Sequence, residues 1–185
     1  HSITNINYTS SGDNVGLFAT LNGATIKNLS ISSSTFLGRN YVATIAGVAY
    51  NNAAIQNVSV ASGTIIGDVA AGGLVGEADD GVTIQASSFG GSVTANTTLG
   101  GGIAGVLEGS SISNSFTAGV VSGAGDIGGM VGRLSGQNGN SGITNSYSTV
   151  TVTNAAGRGG LVGASVAGDN LSITNSFVAA TADGA

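Results

Sequence analysis

The stretch Gly159-Gly160-Leu161-Val162-Gly163 decides the fold, because variants of it recur upstream as Gly16-Leu17-Phe18-Ala19, Ile45-Ala46-Gly47, Gly73-Leu74-Val75-Gly76, Gly102-Ile103-Ala104-Gly105 and Gly129-Met130-Val131-Gly132. The large apolar residue falls at 17, 45, 74, 103, 130 and 161, so the steps are 28, 29, 29, 27 and 31 residues. A second phrase, Ile-x-Asn, keeps the same beat at Ile26/Asn28, Ile55/Asn57, Ile112/Asn114, Ile143/Asn145 and Ile173/Asn175, with Ile84-Gln85-Ala86 in the remaining slot. Two independent phrases sharing one period identify a repeat array, whose units bury their apolar faces only against one another.

Composition narrows the architecture. Of the residues, 41% are hydrophobic but only 5% aromatic, so the apolar content is small and β-branched, which suits strands. Glycine supplies 33 of 185 residues without the every-third-residue period of collagen. Mean hydropathy of +0.34 with 7% charged residues opposes disorder. Val150-Thr151-Val152-Thr153 and Leu29-Ser30-Ile31-Ser32 alternate apolar and hydroxyl side chains, as half-buried strands do. The complete absence of proline keeps every backbone N–H free to pair with a neighbouring strand.

These features predict a right-handed parallel β-helix, one solenoid domain over residues 1–185, with about six rungs of roughly 29 residues and three short strands in each. One unit reads as a strand at 129–134, a loop at 135–141, strands at 143–148 and 149–153, and a turn at 154–159. The paired glycines ahead of the apolar marker (72–73, 101–102, 128–129, 159–160) are expected at corners, by positive φ or by close packing. The recurrent asparagines are expected to stack as a ladder that Ala86 interrupts. Phe89, Phe116, Tyr147 and Phe177 are read as one aromatic series that widens or shifts the core toward the later rungs, and Ile3-Thr4-Asn5 as a further copy of the Ile-x-Asn phrase. The chain then begins part-way through a repeat, and its uncapped strand edges are expected to be covered by more polypeptide or by a neighbouring copy.

Few residues carry chemistry. With Lys27, Arg39, Arg133 and Arg158 as the only basic side chains and a net charge of -5, no patch can neutralise a run of phosphates. His1 is the only histidine and there is no cysteine, so no catalytic triad, thiolate metal site or disulfide is available. Asp79-Asp80-Gly81 with Glu77 is the densest acidic cluster and the one place where Ca²⁺ could be considered; a solvated turn is the simpler reading. Asp13, Asp68 and Asp126 recur ahead of apolar strands and read as Asx-type turns. We assign no catalytic, cofactor-binding or metal-ligating residue, no cofactor and no enzymatic activity. No apolar run approaches the length of a membrane span.

The phrases Gly-Gly-Leu-Val-Gly and Ile-x-Asn-Ser-Phe/Tyr resemble the GLUG repeat of bacterial surface and secreted proteins, including adhesins and the non-catalytic portions of IgA-cleaving metallopeptidases. The resemblance runs through nearly the whole chain and is strongest from Gly102 to Phe177. Where members of that family often carry Cys after the Asn, this chain has Ser115, Ser146 and Ser176. The resemblance implies a β-solenoid at a cell surface or outside the cell, acting as a rigid stalk or as a glycan- or protein-binding surface. Its alternatives are a filament of end-to-end copies and a polysaccharide-active β-helix enzyme; the zinc signature His-Glu-x-x-His is absent. No partner is named by the residues beyond a surface glycan, a protein or further copies of the chain itself.

Overall fold

The computed structural model describes residues 1–179 other than Asp169, and among them every regular element is a β-strand. All pairings are parallel, and each strand pairs with its counterpart about one repeat away. Three sheets result: a wide one of 11 strands, a narrow one of four and a third of six. The unit beginning at Asp126 shows the course of a rung. Asp126–Gly128 lies in the narrow sheet, Val131–Ser135 in the six-stranded sheet, and Ser141–Thr144 and Tyr147–Thr153 in the wide sheet. The protein is thus a parallel β-solenoid of about six turns, roughly 30 Å long at the ~4.8 Å spacing of paired strands.

The glycine phrase makes the bend between the narrow and six-stranded sheets. Close packing explains it, because none of the paired glycines has positive φ. A Cβ on Gly72, Gly101 or Gly128 would lie 1.9, 2.0 or 2.0 Å from the carbonyl oxygen of Val75, Ala104 or Val131. The next two residues enter the core: Ile45, Leu74, Ile103 and Met130 are fully buried, as are Ala46, Val75, Ala104 and Val131. The closing glycine then lies against the narrow sheet's side of the rung, where a Cβ on Gly76 would meet the backbone of Tyr41 at 2.7 Å. Gly139 lies in an open loop, but its φ of 120° penalises any side chain there.

The asparagines mark a left-handed corner. Asn28, Asn57, Asn114, Asn145 and Asn175 all hold φ between 48° and 57°, a region that Asn tolerates better than other residues with a Cβ. The Asn57 amide also donates to Asn28 Oδ1 at 2.8 Å. Ala86 occupies the same corner at φ 48° with no polar group to offset the strain. Ala86→Asn is therefore expected to stabilise the protein by about 1 kcal/mol, seen as a rise of roughly 2–4 °C in melting temperature.

The residue just past the corner decides whether the wide-sheet ladder is continuous. Leu29 and Val58 keep pairing, so Thr25–Leu37 and Ala54–Gly67 are unbroken strands. Later rungs place Ser87, Ser115, Ser146 and Ser176 there. Ser115 Oγ donates to its own rung's Ser113 carbonyl at 2.8 Å and accepts the Ser87 N–H of the preceding rung at 3.1 Å. Ser87, Ser146 and Ser176 repeat the pattern. The hydroxyl replaces a ladder carbonyl, and each strand divides in two.

Two expectations are corrected by register. Ile3 pairs with Ile31 rather than standing in the Ile26 slot, so Asn5 aligns with Ser33 and not with Asn28. The aromatic residues do not form one series: Phe89 is buried, whereas Phe116, Tyr147 and Phe177 align with Ser88, on the outer face. Position three after the corner points inward (Ile31, Val60, Phe89, Thr117, Ser148) and position two points outward. The core consequently narrows toward the later rungs, from Phe89 to Thr117 and Ser148.

A candidate binding surface

Beyond the corner, the outer side of the wide sheet is made by Ser2–Thr9, Ser30–Leu37, Ser59–Gly67, Ser88–Ala95, Phe116–Gly123, Tyr147–Thr153 and Phe177–Val178, and it is interrupted by the positive φ of Asn5, Ser33, Gly91 and Gly119. No Asp, Glu, Lys, Arg or His occurs in any of these segments. Phe36, Ile65, Val93, Val121 and Val152 point inward and anchor the face to the core. Between them, register aligns Asn7, Thr35, Thr64, Ser92, Val120 and Thr151 in one outer column. Thr9, Leu37, Ile66, Thr94, Ser122 and Thr153 form the next, with the Thr94 and Ser122 hydroxyls 3.2 Å apart. Of the threonines at 149, 151 and 153, Thr153 aligns with the hydroxyl-bearing Ser122 of the preceding rung, whereas Thr149 and Thr151 align with Ala118 and Val120.

A third column changes character half-way. Ser2, Ser30, Ser59 and Ser88 are followed by Phe116, Tyr147 and Phe177. The rings stack nearly parallel, with centroids 5.3 and 5.2 Å apart and interplanar angles of 6° and 8°. Phe116 remains 40% exposed, whereas Ser88, which occupies the next place in the column, is buried at 8% exposure. Ser88 Oγ donates to Ser59 Oγ at 3.1 Å, which aligns the two hydroxyls immediately beyond that ring.

The charged residues lie on other surfaces. At the corner between the wide and narrow sheets Arg39 grips the Asp13 carboxylate with two hydrogen bonds of 2.9 and 3.0 Å, and this holds Asp13 below the usual carboxylate range. Asp68 accepts the Asn96 amide at 2.9 Å. Both aspartates therefore bind groups from an adjoining rung instead of closing Asx turns on their own backbone. Asp126 stands elsewhere, inside the narrow-sheet strand paired with Leu99 and Gly157.

The acidic cluster spreads along the six-stranded sheet. Asp79 accepts its neighbour Asp80's N–H at 2.7 Å and the Asn138 amide at 3.1 Å, so it ties its turn to the long loop two rungs away. Asp80 sits in the left-handed region at φ 54°. Among the described residues no group of three or more Asp, Glu, His or Cys side chains comes together as a metal site would require. Glu77 is half-buried beside Tyr41; burial first, and the Asp79 charge second, push its carboxyl up from 4.5 despite the nearby Arg133. Tyr41 is raised in turn, chiefly by the charge of Glu77.

A carboxyl with a raised folded-state pKa binds its proton more tightly when folded, so its contribution to stability is complete below 4.5 and is lost as pH rises through the raised value. Glu77→Gln, which mimics the protonated form, is expected to melt higher than the parent at pH 7, with the gap closing toward pH 4. Melts across that range check it; a gap that widens on acidification contradicts the assignment.

An open groove of about 360 Å³ at the last described rung, lined by Leu134, Val162, Leu171 and Ile173 among others, brings no charged group to one point. The uncharged face is thus the distinctive surface. No family model matches the chain, and no curated protein matches it. A solved structure is similar in fold: a protein from Bacteroides ovatus described as a candidate immunoglobulin A1 protease, with a TM-score of 0.69 at 21% identity. That similarity covers 96% of this chain and 57% of the other, so this chain spans little more than half the length of its structural neighbour, and the likeness extends to the fold alone.

Proposed function

We propose that the protein is a non-catalytic β-solenoid module of a bacterial extracellular adhesin, which serves as a rigid spacer and presents one face of its wide sheet to a partner. The observation that carries this is the outer side of the wide sheet without a charged residue, laid over a buried apolar core. A rung's strands are fixed on either side by parallel pairing and by side-chain ladders, so the face is preorganised and loses little conformational freedom on binding. The description of the Bacteroides neighbour and the resemblance to secreted repeat proteins support an extracellular setting. Catalysis is not part of the reading, because the acids and bases are distributed over separate corners and faces.

Latex beads coated with the protein test it. Adhesion to bacterial or host cells that is absent with albumin-coated beads supports a binding module. Beads that adhere to no cell surface and no extracellular matrix preparation remove the binding half of the proposal and leave the spacer.

A further inference from the structure

We propose that Asn138 is a site of self-modification: its side-chain amide is displaced by the Gly139 backbone nitrogen, and the acidic product releases the tip of the long loop from the Asp79 turn. This goes beyond the binding reading above and does not depend on it. The sequence holds two Asn-Gly pairs, Asn22-Gly23 and Asn138-Gly139. Both asparagines are exposed, so access to water does not separate them. The glycine nitrogen does. The Gly23 N–H donates to the Tyr50 carbonyl of the following rung at 3.1 Å, and the Asn22 side chain accepts the Asn51 amide at 2.9 Å. Among the described residues the Gly139 N–H donates to no other rung; it belongs to an exposed turn, where a Cβ on Gly139 would meet nothing closer than Gly109 Cα at 3.8 Å. This nitrogen can therefore reach its neighbour's side chain without opening the ladder between rungs, whereas Gly23 has to break that ladder first.

The chemistry needs only water. A bond forms between the Gly139 nitrogen and Asn138 Cγ while the Cγ–Nδ2 bond breaks; the nitrogen's proton and the amide leave together as ammonia, and a cyclic succinimide remains. Water then opens the ring at either carbonyl and leaves aspartate or isoaspartate at position 138. Before the reaction, Asn138 Nδ2 donates to both Asp79 oxygens, at 3.1 and 3.3 Å. Afterwards two carboxylates face each other where a donor met an acceptor, and like charges at that distance repel. The base of the loop keeps its hold, because the Ser141 hydroxyl still donates to the Ser135 carbonyl and the Gly136 N–H to the Val166 carbonyl. Release is thus confined to 137–140.

Incubation of the folded protein in heavy-oxygen water, followed by digestion and mass spectrometry, tests the site. The label is expected to enter position 138 faster than position 22 by on the order of tenfold or more, while in the urea-unfolded chain the two positions react at similar rates. Limited digestion with subtilisin tests the consequence. Asn138→Asp is expected to be cut severalfold faster within 137–140 than the parent, and adding Asp79→Asn, which puts an amide donor opposite the new carboxylate, is expected to restore resistance. Circular dichroism and melting temperature confirm that each variant is folded. No label at position 138, or labelling of position 22 at an equal rate in the folded protein, would overturn the site. An Asn138→Asp loop as resistant as the parent's would overturn the release.

Discussion

Gly101→Ala is expected to lower the melting temperature by on the order of 10 °C, equivalent to about 3 kcal/mol or more. One added carbon is enough because of where it would fall: 2.0 Å from the Ala104 carbonyl oxygen, and 2.7 Å from both the Gly132 nitrogen and the Met130 oxygen. All three are backbone atoms, so no rotamer change relieves the clash and two rungs have to separate. At Gly12 the only neighbour within reach is the Ser10 hydroxyl at 3.2 Å, and Gly12→Ala should stay within about 0.5 kcal/mol of the parent. Equal losses in the two variants would show that glycine acts here through general chain flexibility and not through contact at the bend.

Ser115→Ala is expected to cost about 2 kcal/mol, large for the loss of one oxygen atom. The hydroxyl is 2% exposed and holds two backbone groups at once, the Ser113 carbonyl and the Ser87 N–H. Its removal leaves a buried donor without an acceptor, which is costlier than the loss of an ordinary surface bond. Hydrogen exchange gives a specific readout: the Ser87 amide should lose protection in the variant, while amides on distant rungs keep theirs. Ser111→Ala, at an exposed outward position, is the matched control and should change little. A Ser115→Ala protein that melts with the parent would mean that water reaches this corner.

The period, the strand class and the identity of the corner residues were legible because each is a local demand. A glycine that cannot bear a Cβ and an asparagine at positive φ recur once per rung whatever the loops do. Register was harder, since rung length varies from 27 to 31 residues and a slip of one moves a side chain to the opposite face. Phe89 illustrates this: it stands three residues beyond its corner at Ala86, whereas Phe116 stands two beyond Asn114, and that count alone separates a core residue from a surface one. The same count exposes Ile3, whose phrase copies the sequence of Ile26 while its strand pairs with Ile31. Contacts between sheets or across two rungs, such as Glu77 beside Tyr41 or Asp79 on Asn138, leave no periodic trace to read. The outer face was half-legible: its hydroxyls and aromatics were visible, but their assembly into columns depends on the register.

The serine corner gives the array a direction. At each such corner the amide of one rung is closed by the hydroxyl of the rung that succeeds it in sequence, while that hydroxyl's proton is already committed to a carbonyl of its own rung. Peeling away the later rung strands the serine amide of its predecessor, while peeling away the earlier rung strands the amide of Phe116, Tyr147 or Phe177, which donates to the earlier serine's carbonyl. Along Ser87, Ser115, Ser146 and Ser176 the two directions of unzipping therefore differ in the partner that is lost, a side-chain hydroxyl in one direction and a backbone carbonyl in the other. During synthesis, which proceeds from the amino end, each leading corner keeps its amide hydrated until the next serine arrives to capture it. Each added coil thus supplies the hydroxyl that closes the corner of the coil made just before it.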